Sequence, residues 1–189
     1  MSGTEVHPRS VEDIVRLERR EMRLKFLFFW GHQPSREGGL GPGCLSQWWP
    51  ATFTVDGTAY PSAEHFMMER KARLFGDEHT ADRILAAPSP GAAKELGRQV
   101  CGFDDHTWVA HRYDIVVRAS VAKFSQNASL GEYLLNTGRR ILVEASPLDR
   151  VWGIGLSADD ERARRPSRWC GENLLGFALM DARAALHHG

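Results

Sequence analysis

Phe53-Thr-Val-Asp56-Gly57-Thr-Ala-Tyr60-Pro61-Ser62-Ala-Glu64-His-Phe-Met-Met68-Glu-Arg-Lys71-Ala-Arg-Leu-Phe75 changes periodicity within a few residues. The Asp56-Gly57 pair between Phe53–Val55 and Thr58–Tyr60 predicts a β-hairpin, because Asp-Gly readily supplies the positive φ angles of a tight turn. Pro61 and Ser62 then open a helix. Along it Glu64, Met68, Lys71 and Phe75 recur at i, i+4, i+7 and i+11, so they share a face. A carboxylate and an ammonium therefore look along one side of one helix.

Helical spacing continues on both sides of this stretch. Trp108, Arg112, Ile115, Ala119 and Lys123 predict a long helix, and Leu130, Leu134 and Leu135 another that stops at Asn136-Thr-Gly138. Residues 81–87 and 92–97 read as two shorter helices separated by Pro88-Ser-Pro90, and residues 173–186 as a closing, apolar-faced one. Residues 25–30 read as a buried strand and residues 141–145 as a further strand. Residues 34–43 read as a loop: the Gly-Gly-Leu-Gly-Pro-Gly run ending at Gly43 has Pro42 without an N–H and no Lys-Ser/Thr, so it is not a phosphate cradle. Residues 1–24 are polar, with Val11, Ile14, Val15 and Leu17 at helical spacing after Ser10, and predict an amphipathic helix or a partly ordered extension. The fold class that follows is mainly α with a few short β-strands (α+β), one compact domain over residues 25–189 behind an extension over 1–24.

Composition narrows the function classes. Among 189 residues, 24 Lys+Arg balance 24 Asp+Glu, which excludes a polybasic nucleic-acid or membrane arm as the main theme. Arg162, Arg164, Arg165 and Arg168 form the one basic cluster. Three cysteines, Cys44, Cys101 and Cys170, stand far apart with no C-x-x-C pair, and neither a signal-peptide core nor a run of roughly 20 apolar residues is present. The expected location is a reducing cytoplasm, with no membrane partner. Glu64-His65 lacks the second histidine of H-E-x-x-H, and His106 and His111 miss the i, i+4 spacing of paired ligands, so no protein-bound metal is expected. No G-x-S-x-G elbow supports acyl chemistry.

What remains is carboxylates in aromatic surroundings. Glu64 lies at a helix start, where the dipole favours its ionised form, and Asp149 in a turn three residues before Trp152. Such a pair suits cleavage at a sugar C1: one carboxylate stabilises the oxocarbenium-like cation or activates water while an acid protonates the leaving group. Tryptophans suit a flat heterocycle. Each residue also has an ordinary structural reading: a dipole-matched glutamate, a turn aspartate, solvated lysines, core tryptophans. Spacing alone does not choose between the two.

Six blocks in order do choose. Cys44-Leu-Ser-Gln-Trp48, Tyr60-Pro-Ser-Ala-Glu-His65, Met67-x-x-x-Lys71-Ala-x-x-Phe-Gly-Asp77, Lys123-Phe-x-Gln-Asn127, Leu142-Val-Glu-Ala-Ser-Pro-x-Asp149-x-x-Trp-Gly-Ile-Gly155 and Trp169-x-Gly-x-Asn-Leu-Leu-Gly176 resemble the NADAR, or YbiA-like, family from about residue 26 to residue 186. The resemblance implies a mostly helical N-glycosidase that needs no metal or other cofactor. Its members act on phosphorylated ribosylaminopyrimidine intermediates of riboflavin biosynthesis, releasing ribose 5-phosphate, or remove ADP-ribose from modified guanine in nucleic acid. Carried over by position, the catalytic residues are Glu64 and Asp149. Trp108 and Trp152 hold base or sugar, Lys71 or Lys123 meets a phosphate, and Ser46 and Trp30 complete the substrate-contact candidates. Where the family reads Leu-Ser-Asn, this chain has Leu45-Ser46-Gln47, and residues 1–24 are an addition. The expected partner is a small phosphorylated ribosyl substrate, with nucleic acid only as a modified substrate. A binding module without catalysis is the rival from another class.

Overall fold

Side-chain caps set where the helices begin. Ser10, Ser62, Asp77, Ser89 and Asp104 each accept a backbone N–H three residues ahead, opening α1 (Val11–Arg19), α2 (Ala63–Leu74), α3 (Glu78–Leu85), α4 (Pro90–Gly97) and α5 (Asp105–Gln126). The computed structural model describes residues 7–35 and 38–187. Residues 1–6 of the expected extension and 36–37 of the expected loop lie outside the described residues. α6 (Ala128–Asn136) and α7 (Leu174–His187) complete the helices.

Among the described residues, four short strands accompany them. β2 (Phe53–Val55) and β3 (Thr58–Tyr60) form the antiparallel hairpin, with Asp56 at φ 51° and Gly57 at φ 80° in its turn. β1 (Phe26–Phe29) pairs in parallel with β4 (Ile141–Glu144), in a register that sets Phe29 beside Glu144. β4 is buried over its first three residues, whereas only Phe29 of β1 is; the expected buried first strand is half-buried over Phe26, Leu27 and Phe28, with Arg164 over the Phe28 ring.

α5 and α7 pack along each other, and α5 also meets α2, α6 and β2, so the long helix runs through the middle of the domain. Phe53, Tyr60 and Phe66 form a second apolar cluster against Ala119 of α5, fixing the hairpin and the start of α2. α1 is built into the main core: Ile14 is fully buried there, while Arg9 pairs with Asp181 of α7 and Glu18 accepts the Ser167 N–H. No helix among the described residues is long and apolar enough to cross a membrane.

Candidate active site

At the carboxyl ends of β1 and β4 a cavity of about 410 Å³ opens between the segment after Leu45, α2, α4, the start of α5 and the loop after β4. Its floor is acidic. Glu64 comes from the first turn of α2, Glu144 is the last residue of β4, and Asp149 follows in the loop. Gln47, Glu64 and Glu144 each hold a buried side-chain oxygen without a hydrogen-bond partner in the protein (Gln47 Oε1, Glu64 Oε1, Glu144 Oε2), and all three residues line this cavity. Buried polar atoms are nearly always satisfied, so such atoms concentrated on one wall mark a surface built to receive something polar.

The dipole argument for Glu64 is corrected by burial. The residue is 2 % exposed, and desolvation pushes its carboxyl up to about 7. Lys94, the Trp48 indole N–H and Arg98 pull the other way, favouring the anion, while Asp149 opposes it. Glu144 is pushed higher, to about 8, first by burial and then by Asp149 and Glu64, with Lys94 alone offsetting them. Burial thus raises two carboxyl groups to neutrality or above in one cavity.

Asp149 has a different setting. Its Oδ1 accepts the N–H groups of Val151 at 2.9 Å and Trp152 at 2.8 Å, and its own N–H donates to Ser146 Oγ. This turn fixes the carboxylate and aims Trp152 at the cavity in one move, leaving Oδ2 for a ligand.

Cations and rings form the rim. Lys71 Nζ donates to Gly97 O at 2.8 Å and sits 4.3 Å from the Phe103 ring centroid and 5.7 Å from that of Trp108. Burial lowers its pKa from the ordinary lysine value. Lys94 lies 5.8 Å from the Trp48 centroid, and Arg112 reaches Glu172 at 3.3 Å. Arg98 completes the basic side. Among the described residues, no group of three or more His, Cys, Asp or Glu is placed to hold a metal ion.

Of the residues singled out in the sequence, Glu64, Asp149, Trp108, Trp152, Lys71 and Ser46 meet at this cavity. Two do not. Lys123 is fully buried, and its Nζ donates to Cys44 O at 2.7 Å and Ser46 O at 2.9 Å. It shares a helical face with Trp108 but lies about 22 Å farther along the axis, so it supports the cavity wall from behind instead of meeting substrate. Trp30 is 62 % exposed: strand alternation sends Phe29 into the core and turns its neighbour away. The basic cluster at Arg162–Arg168 also lies outside the lining, with Arg162 held by Asp160. Sequence reading passed over Glu144, Trp48, Lys94 and Arg98. A glutamate ending the apolar run Ile141-Leu-Val was the available signal for the first.

The NADAR domain profile matches residues 28–187. The chain is 40 % identical over 164 residues to N-glycosidase R617 of Acanthamoeba polyphaga mimivirus, covering 84 % of this chain and 95 % of that protein. It is 32 % identical over 144 residues to riboflavin biosynthesis protein VVA0006 of Vibrio vulnificus, covering 76 % of this chain and 35 % of that one. The NMR structure of Escherichia coli YbiA superposes with a TM-score of 0.67 at 27 % identity, covering 92 % of this chain and 93 % of YbiA. With the profile spanning most of the chain and the fold shared end to end, this protein belongs to the NADAR family.

Proposed function

We propose that the substrate is a phosphorylated ribosylaminopyrimidine intermediate of riboflavin biosynthesis, cleaved between ribose C1 and nitrogen to give ribose 5-phosphate. The coarser chemistry, hydrolysis of an N-glycosyl bond, is that of the N-glycosidases to which the chain is 30–40 % identical. The observation that carries the finer reading is one cavity holding three carboxyl groups on its floor, that of Glu64 buried, and indoles beside four cations, Lys71, Lys94, Arg98 and Arg112, on its walls. Its volume of about 410 Å³ suits a single phosphorylated nucleoside-sized ligand.

In this reading Glu64 orients water and stabilises the cation developing at C1, and Asp149 Oδ2 meets the ribose hydroxyls. Trp108 and Trp152 bracket the flat base, and the cations meet the phosphate as point charges. The name of VVA0006 supports the pathway assignment. Trp152→Ala is expected to raise KM about fivefold or more, the equivalent of about 1 kcal/mol of lost ring contact, with a smaller effect on kcat. An unchanged KM in steady-state kinetics assigns that ring to the scaffold.

The deciding experiment incubates the protein with phosphorylated ribosylaminopyrimidines and detects ribose 5-phosphate by mass spectrometry. Release supports the reading. Cleavage of ADP-ribosylated guanosine with the pyrimidine substrates untouched replaces it with the ADP-ribosyl hydrolase alternative, and binding without cleavage of either replaces it with the non-catalytic module.

A further inference from the structure

The cavity contains a carboxyl group that the roles above leave unused. Glu144 stands at the end of β4, its backbone N–H held by Asn173 Oδ1 at 3.0 Å and its carbonyl held by the Ile154 N–H at 2.9 Å. Both sides of its main chain are pinned. Its Oε2 is closed off from solvent by the protein yet meets no hydrogen-bond partner, and the residue lines the same cavity as Glu64 and Asp149. A carboxylate with one oxygen shut off from water and given no donor is costly, whereas the protonated group carries no charge and offers its O–H from the oxygen on the cavity side.

We propose that Glu144 is a catalytic residue, the general acid that delivers a proton to the departing nitrogen. The assignment rests on the N-glycosidase reading of the site and extends it. The neighbours divide the labour. Glu64 faces Lys94, the Trp48 indole N–H and Arg98, which favour its anion, against Asp149 only. Glu144 faces Asp149 and Glu64, which favour its acid form, against Lys94 only. Asn173, the remaining side chain on this segment, is neutral and holds Leu142 O and the Glu144 N–H. With one proton between the two glutamates, it resides on Glu144.

The step then balances. As the C1–N bond breaks, its electron pair goes to nitrogen, which takes the Glu144 proton and leaves as the neutral amine. Water adds to C1 and gives a proton to Glu64. Transfer of that proton from Glu64 to Glu144 after product release restores the starting pair, with one water consumed per bond cleaved.

Activity requires Glu64 ionised and Glu144 protonated, so it falls as pH drops below about 7 and as it rises above about 8. The test compares an N-riboside, whose nitrogen must be protonated, with 4-nitrophenyl riboside 5-phosphate, whose phenolate leaves without help. Glu144→Gln is expected to lower kcat about 100-fold or more on the N-riboside and to stay within about fivefold of wild type on the nitrophenyl compound, with KM little changed on both. Independently of any variant, the alkaline fall in wild-type kcat is expected with the N-riboside and not with the nitrophenyl compound. Equal losses on both compounds in a variant that melts like wild type, or an identical alkaline fall for both in the wild type, overturns the assignment. The N-riboside is whichever one the wild type cleaves, so failure on the ribosylaminopyrimidine overturns the substrate proposal and leaves the proton assignment to be decided by the comparison.

Discussion

Glu64→Gln is expected to lower turnover by about 100-fold or more and, above neutral pH, to raise the melting temperature. The first effect follows from the proposed role, in which Glu64 takes the proton from water and faces the cation at C1, and which the amide cannot fill although it keeps the shape of the wall. The second follows from burial. With its carboxyl raised from 4.5 to about 7, Glu64 contributes stability that is fully present below about 4.5 and lost as pH rises through about 7. The amide carries no such loss. The melting temperature of the variant relative to wild type is therefore higher at pH 8 than at pH 5. Turnover and stability moving in opposite directions identify a group kept for chemistry. Single-turnover release of ribose 5-phosphate and thermal melts at the two pH values check both. Turnover near that of wild type removes Glu64 from the reaction.

Gly176→Ala is expected to cost about 3 kcal/mol, a fall of roughly 6–12 °C in Tm for a domain of this size. In the first turn of α7, a Cβ at position 176 meets the Leu142 carbonyl oxygen at 2.1 Å and the side-chain amide atoms of Asn173 at 2.5 and 2.7 Å. None of these is a pliable side-chain tip. Leu142 belongs to a buried strand, and the Asn173 amide is held at both ends, donating to Leu142 O at 3.0 Å and accepting the Glu144 N–H. Relief therefore moves α7 away from β4, and with it the clamp on Glu144, so activity falls along with stability. A thermal melt within about 2 °C of wild type shows that α7 yields without penalty.

The local part of the architecture was legible because its causes are local. Ser62 caps α2, Asp56-Gly57 turns the hairpin, and the Glu64, Met68, Lys71 repeat puts three side chains on the cavity side of one helix. Glu64 and Asp149 each open a locally capped segment, but it was the family resemblance, not those caps, that named them together. What sequence did not display depends on distant partners. The parallel pairing of β1 with β4 joins residues more than a hundred positions apart, and it is this pairing that sets Glu144 on the floor of the cavity. Burial then reverses the expectation for Glu64, because a helix terminus favours an anion by a smaller amount than removal from water disfavours it. Lys123, given a phosphate contact on the strength of the resemblance, lies behind the wall for a related reason: sharing a helical side with Trp108 does not fix how far along the helix a residue stands.

That lysine makes the cavity wall open to direct observation. It gathers the carbonyl oxygens of Cys44 and Ser46 as a caged cation would, and so tethers the segment bearing Ser46, Gln47 and Trp48 without any strand pairing. Lys25, Lys71, Lys94 and Lys123 are the chain's only lysines, and of these only Lys123 is fully buried. Amine-directed labelling of the native protein therefore spares Lys123 until this segment lifts, so the rate of modification at that one amine reports how often the wall of the cavity opens.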